Sequence, residues 1–155
     1  MAIQKGQQAP GFTLFNSERA EVSLEGLKGK NVVLVFFPLA FTSTCTAELC
    51  GLRDNISVYN GLDAEVLGIS VDSIFSLAKF KAEQNLNFPL LSDFNKEVST
   101  AYDTIYAQFG FGMKGVSKRS VFVIDKEGKI QHSEVLEDAG KVPDFEQVLT
   151  TLRAI

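Results

Sequence analysis

The chain has 155 residues, 45% of them hydrophobic and 22% charged, with a formal net charge of −4. One domain over 1–155 is expected, long enough to bury roughly two-thirds of its unfolded surface. No long run of one charge appears, which argues against nucleic acid, and no apolar stretch approaches the ~20 residues of a membrane span, which argues against a membrane.

The start, MAIQKGQQAPGF, carries no apolar stretch of signal length, so a cytoplasmic home is expected. In that reducing setting the two cysteines are expected to be free, catalytic or redox-active, not a permanent staple. Among the thirteen phenylalanines, Phe36, Phe37, Phe41, Phe109, Phe111 and Phe122 are mostly core candidates, with an apolar pocket or a dimer interface as the alternative place for some of them.

In chain order, residues 12–15 alternate weakly and predict a short strand. Residues 25–30 carry two glycines and predict a loop. Residues 31–37 form a continuous β-branched and aromatic run, the pattern of a strand buried on both faces. Pro38 ends it, since proline cannot donate to the ladder. Thr42, Ser43 and Thr44 then offer N-cap chemistry to a helix over about 44–59, with Leu49, Leu52, Ile56 and Tyr59 along one face. A second buried strand is predicted over 65–71. Asp72 and Ser73 stand where a cap is wanted for a helix over 74–85 that turns Leu77 and Phe80 inward. A short strand at 88–91 and a short helix at 96–102 follow. Residues 120–125 and 129–135 predict a hairpin about Lys126-Glu127-Gly128. Phe145, Val148, Leu149 and Leu152 mark a closing amphipathic helix. Parallel βαβ units first and an antiparallel hairpin later predict an α/β fold, a thioredoxin-like mixed sheet with helices on both faces.

The chemistry concentrates between Pro38 and Cys50. Cys45 follows a buried strand and opens a helix, where unpaired N–H groups and the positive dipole end favour a thiolate. The thiolate is the nucleophilic form, so Cys45 is the candidate reactive group.

The block Pro38, Thr42, Cys45 resembles the peroxiredoxin signature Pro-x-x-x-Thr-x-x-Cys. The resemblance extends to Gly6, Ala9, Pro10 and Phe12, to V-L-G-I-S-V-D, to F-P-L-L-S-D and to K-R-S-V-F-V-I-D. It implies a thiol peroxidase that reduces hydrogen peroxide and organic hydroperoxides through a cysteine sulfenic acid. It implies that Thr42 hydrogen-bonds the thiolate and the peroxide, that Pro38 shields the cysteine, that Arg119 stabilises the thiolate and the developing charge, and that Glu48 orders the arginine. Lys118 is the adjacent rival for the arginine's part. The resemblance also implies a thioredoxin-like reductant and a homodimer through the face that holds the active-site loops.

Cys50 is the candidate resolving thiol. The spacing of the two cysteines resembles the peroxiredoxin Q, or bacterioferritin comigratory protein, group, while F-F-P-L-A-F-T-S-T-C is similar to the one-cysteine alkyl hydroperoxide reductase E group. Five residues of α-helix rotate by ~500° and rise ~7.5 Å, so two such thiols point apart. Their Cα atoms then lie beyond the ~7 Å limit of a disulfide. A bond between them requires residues near 44–52 to unwind, so the folded state is expected to be reduced.

Other readings remain open: a one-cysteine peroxidase served by an external thiol, a thiol–disulfide oxidoreductase, and a redox sensor on the same fold. An oxidoreductase would call for Cys-x-x-Cys. His132, the single histidine, reads as an edge-strand residue. No cofactor is implied, and two cysteines with one histidine do not make a metal site. The glycines at 110, 112 and 115 predict a flexible loop near the pocket rim, with Phe109, Phe111 and Met113 offering apolar contacts.

Overall fold

A computed structural model describes residues 3–155. The first half contains β1 (Thr13–Asn16), β2 (Glu21–Ser23), β3 (Asn31–Phe36), α1 (Ser43–Asp54), α2 (Ile56–Gly61), β4 (Ala64–Ser70) and α3 (Ile74–Gln84). The second contains β5 (Leu90–Ser92), α4 (Glu97–Ala101), β6 (Ile105–Tyr106), β7 (Val116–Ser117), β8 (Ser120–Ile124), β9 (Ile130–Val135) and α5 (Phe145–Ala154). The strands of the main sheet run β2-β1-β5-β4-β3-β8-β9. The β3–β4 and β4–β5 pairs are parallel, as βαβ crossovers require, and the others are antiparallel.

β3 is buried at every position, so its apolar run has no polar face to present. Its side chains alternate between two cores. Val33 and Val35 join Leu49, Leu52, Leu77, Phe80, Val148 and Leu152 from α1, α3 and α5. Val32, Leu34 and Phe36 point the other way, toward Ala9, Leu24, Val98 and Tyr102. The expected mixed sheet with helices on both faces is what forms. Gly68 on β4 is required by this packing, because a Cβ there would lie 2.7 Å from Leu90 Cδ2.

Some expectations need correction, and some elements were not expected. The helix over 44–59 is interrupted at Asn55 (φ −112°, ψ 10°), whose side chain donates to the Gly51 carbonyl, a local bond that competes with helix continuation. Leu52 and Tyr59 still face inward across the break. β2 and the small β6–β7 sheet are too short to leave a period in the sequence.

Two core candidates are exposed, Phe41 at 50% and Phe111 at 102%, while Phe36, Phe37 and Phe122 are buried. Phe109 is half-buried and stacks on Tyr106. The glycine-rich segment is a hydrogen-bonded hairpin, closed by Gly115 N–H to the Tyr106 carbonyl and Phe109 N–H to the Met113 carbonyl. Gly112 and Gly115 supply its positive φ values of 78° and 76°. Among the described residues no helix is long and apolar enough to cross a membrane.

Candidate active site

β3 stops at Phe36, and the chain turns through a buried Pro38 before α1 begins at Ser43. Asp72, just past the end of β4, pins this turn. Its Oδ2 accepts from the Ala40 N–H at 2.8 Å and from the Ser70 hydroxyl at 2.7 Å. The sequence suggests only a helix cap at Asp72 and Ser73. The cap is Ser73, which accepts from Ser76 N–H, so Asp72 is free for the loop. A carboxylate at the end of the strand beside β3 is the signal that could have found it.

Thr42 is the N-cap residue of α1 and Cys45 lies in the first turn, fully buried. The Thr42 hydroxyl donates to the Leu39 carbonyl at 2.9 Å, not to the cysteine sulfur. Its oxygen lone pairs therefore remain available as acceptors.

The hydrogen bond to Cys45 comes from across the sheet. β3 pairs antiparallel with β8, Phe36 opposite Ser120, so one further step sets Arg119 beside Phe37 at the mouth of the β3–α1 turn. Arg119 is 2% exposed and uses each of its side-chain nitrogens: Nη2 donates to Cys45 Sγ at 3.2 Å, Nη1 to Glu48 Oε1 at 2.7 Å, and Nε to the Ala139 carbonyl at 2.9 Å. Lys118 instead pairs with Glu137 at 2.7 Å. The Tyr106 hydroxyl donates to the Leu136 carbonyl and accepts from the Arg119 N–H, which holds the start of β8 in place. Neither Tyr106 nor the Ala139 carbonyl was legible as part of the site.

Burial sets the electrostatics. It pushes the Glu48 carboxyl up from 4.5 to about 7, with the Arg119 charge and hydrogen bond partly opposing it. Burial works to lower the Arg119 value, but the Cys45 and Glu48 charges outweigh it and leave the guanidinium above its ordinary range. Arg119 is thus a fixed cation, and Glu48 is the group whose charge responds to pH.

Cys50 lies on α1, half-buried, with its Sγ 3.5 Å from Gln84 Oε1. Neither cysteine is in a disulfide. The structure brings Cys45, Arg119 and Glu48 into direct contact and keeps Thr42 and Pro38 on the turn that leads into Cys45. It does not bring Cys50 to Cys45. His132 sits on β9, at the sheet edge.

A sulfur hydrogen-bonded by a fixed guanidinium suits attack on a small electrophile whose leaving group departs as an anion. Residues 5–133 match the AhpC/TSA family. The chain belongs to that family. As a peroxiredoxin it is a thiol-dependent peroxidase. It is 44% identical over 132 residues to a Coxiella burnetii protein named as the peroxiredoxin bcp, covering 84% of this chain and 87% of the relative. It is 39% identical over 166 residues to a chloroplastic 2-cysteine peroxiredoxin of Chattonella marina, covering 100% and 82%. Among solved structures, the peroxidoxin BcpB of Mycobacterium tuberculosis superposes with a TM-score of 0.86 at 31% identity, covering 99% of this peroxiredoxin and 98% of that chain. Xanthomonas campestris peroxiredoxin Q gives 0.80 at 29% identity, covering 92% and 90%.

Proposed function

We propose that Cys45 is the nucleophile of this peroxidase, that Arg119, Thr42 and Pro38 set its chemistry, and that Glu48 keeps Arg119 oriented. The single observation that carries this reading is the 3.2 Å hydrogen bond from Arg119 Nη2 to Cys45 Sγ, both residues buried. The thiolate attacks the terminal peroxide oxygen; the S–O bond forms as a sulfenic acid, the O–O bond breaks, and the hydroxide or alkoxide that leaves takes a proton from solvent to become water or an alcohol. Arg119 stabilises the charge that moves from sulfur to oxygen. The Thr42 hydroxyl spends its proton on Leu39, so its oxygen accepts from the peroxide O–H and holds that oxygen over the sulfur. Pro38 keeps water from the thiolate.

Cys50 then condenses with the Cys45 sulfenic acid, releasing water and forming a disulfide. A thioredoxin-like dithiol returns both cysteines to thiols. The whole chain, 1–155, acts as one domain, in the cytoplasm, and pairs as a homodimer through the face that carries the exposed Phe41.

A second reading has its own support. Cys45 and Cys50 share one unbroken helix, and Cys50 Sγ is engaged with Gln84. An external thiol attacking the sulfenic acid would need no unwinding. Peroxide turnover with a thioredoxin system, comparing wild type with Cys45→Ser and Cys50→Ser, separates the two. Cys45→Ser abolishes turnover under either reading. Cys50→Ser stalls after one turnover if Cys50 resolves; undiminished multiple turnover by Cys50→Ser would establish the one-cysteine route.

A further inference from the structure

The β8–β9 register places Ser120 opposite Val135, so one step further Arg119 stands opposite Leu136. Facing residues at a hydrogen-bonded position of an antiparallel ladder exchange two bonds, one N–H to carbonyl in each direction. One of the two is present: the Leu136 N–H donates to the Arg119 carbonyl at 2.9 Å. The other is replaced. The Tyr106 hydroxyl stands between the chains, accepting from the Arg119 N–H at 3.4 Å and donating to the Leu136 carbonyl at 2.7 Å. The regular strands end at this insertion, β8 beginning at Ser120 and β9 ending at Val135.

The insertion bears on both ends of Arg119. Three residues past Leu136, the Ala139 carbonyl returns to accept from Arg119 Nε at 2.9 Å. The separation that the hydroxyl sets between Arg119 and Leu136 therefore also sets where the Ala139 carbonyl stands. A guanidinium is a rigid planar fork, so fixing two of its nitrogens fixes the third. Ala139 holds Nε and Glu48 holds Nη1, which leaves Nη2 aimed at Cys45 Sγ, 3.2 Å away. The loop has another tie, Lys118 to Glu137, but the Glu137 side chain is 81% exposed, and such surface pairs contribute little.

A phenylalanine in place of Tyr106 would keep the ring and lose the bridge. The buried Arg119 N–H would then lack an acceptor, which is costly, or the chains would close to make the direct bond. Closing draws Leu136 toward β8 and carries the Ala139 carbonyl off Nε.

We propose that Tyr106 is a positioning residue for peroxide reduction: its hydroxyl, inserted between β8 and β9, places the Ala139 carbonyl that aims Arg119 at Cys45. The proposal rests on the assignment of Arg119 to the reaction, and the test separates the two.

Reduced wild type, Tyr106→Phe, Glu137→Gln and Arg119→Lys are compared by stopped-flow peroxide reduction and by NMR of the arginine Nε–H groups. Tyr106→Phe should lower kcat/KM about three- to tenfold, the weight of one neutral hydrogen bond, and should shift the Arg119 Nε–H signal and speed its exchange with solvent. Glu137→Gln loosens the same loop but keeps the hydroxyl, and should leave both readouts at wild type. An equal loss in Glu137→Gln would assign the effect to the loop at large and overturn the proposal. A loss in Tyr106→Phe with an unmoved Nε–H signal overturns the route through Ala139. Wild-type kcat/KM in Tyr106→Phe beside a tenfold or larger loss in Arg119→Lys overturns the role of Tyr106 alone. Wild-type kcat/KM in Arg119→Lys overturns the assignment of Arg119 and the proposal with it. If Tyr106→Phe does not fold, wild type carries the test. Its Tyr106 hydroxyl proton should give a slowly exchanging signal with a nuclear Overhauser contact to the Arg119 amide. Tyr102, whose buried hydroxyl donates to the Pro10 carbonyl at 2.7 Å, is the internal reference. A Tyr102 hydroxyl signal without one from Tyr106 overturns the insertion.

Discussion

If Cys50 resolves Cys45, the rate of disulfide closure depends on how readily α1 unwinds, and Gly51 offers a clean way to change that. It lies within Ser43–Asp54, one residue past Cys50. A Cβ added there meets nothing within 4 Å, so Gly51→Ala inserts without a clash. The exchange stabilises the helical state by about 0.5–1 kcal/mol. With unwinding as a rapid equilibrium before closure, the unwound fraction falls by exp(ΔΔG/RT), roughly two- to fivefold with RT near 0.6 kcal/mol. Reduced protein is given one equivalent of peroxide and quenched at intervals with a thiol-blocking reagent. Non-reducing digestion and mass spectrometry then follow the Cys45–Cys50 peptide pair. Closure should slow by that factor, sulfenic acid formation should keep its wild-type rate, and the melting temperature should rise by about 1–4 °C. Wild-type closure in a variant whose melting temperature has risen would refute the reasoning. So would a Cys45 linked only to Cys45 of another chain or to a small thiol.

Arg53→Ala should act in the opposite sense: its Nη1 ties α1 to the Gln84 carbonyl at 2.6 Å, and loss of a charged hydrogen bond frees the helix to unwind, so closure in the same assay speeds up severalfold. Arg119→Lys should lower kcat/KM for peroxide by about 10²–10³, because one ammonium cannot hold Cys45, Glu48 and the Ala139 carbonyl together; stopped-flow peroxide reduction checks this, and a loss below tenfold contradicts it. Glu48 gives a pH dependence of defined sign. Its folded value near 7 lies above the unfolded 4.5, so the folded state holds the proton more tightly, and the stability it contributes is full below 4.5 and lost as pH rises through 7. The span is at most about 3 kcal/mol at 1.36 kcal/mol per pH unit. Denaturant unfolding of wild type minus Glu48→Gln, measured from pH 4.5 to 8, isolates it, and a flat difference contradicts the assignment.

Much of this molecule was legible because its signals are local. The unbroken apolar run of β3 could only be a strand buried on both faces, and every position of it is buried. Cys45 was legible for a similar reason, since a cysteine after such a strand and a run of hydroxyl residues must lie in the first turn of a helix. What escaped depends on pairing across the sheet or on competition between bonds. The break at Asn55 turns on one side-chain bond to Gly51 O. Asp72 holds the Pro38 turn only because β4 lies beside β3, with Phe36 opposite Ile69. Phe41 looked like core by residue type, yet its positive φ of 70° turns it outward at the β3–α1 corner.

Arg119 shows most directly what the fold adds. From composition it is one cation among fifteen. The β3–β8 register brings it to the sulfur, where three groups share one buried site: the Cys45 sulfur, the Glu48 carboxyl and a single guanidinium. With the proposed Cys45 thiolate and an ionised Glu48, two anions and one cation would leave a net charge in a medium that penalises it. Burial holds the Glu48 value near 7, so that carboxyl takes up a proton near neutral pH while Arg119 keeps its charge. A glutamine in place of Glu48 would hold Arg119 through its oxygen but could not change charge. Glu48 is therefore the partner of Arg119 whose charge changes near neutral pH, which neither a fixed anion nor a neutral amide would do.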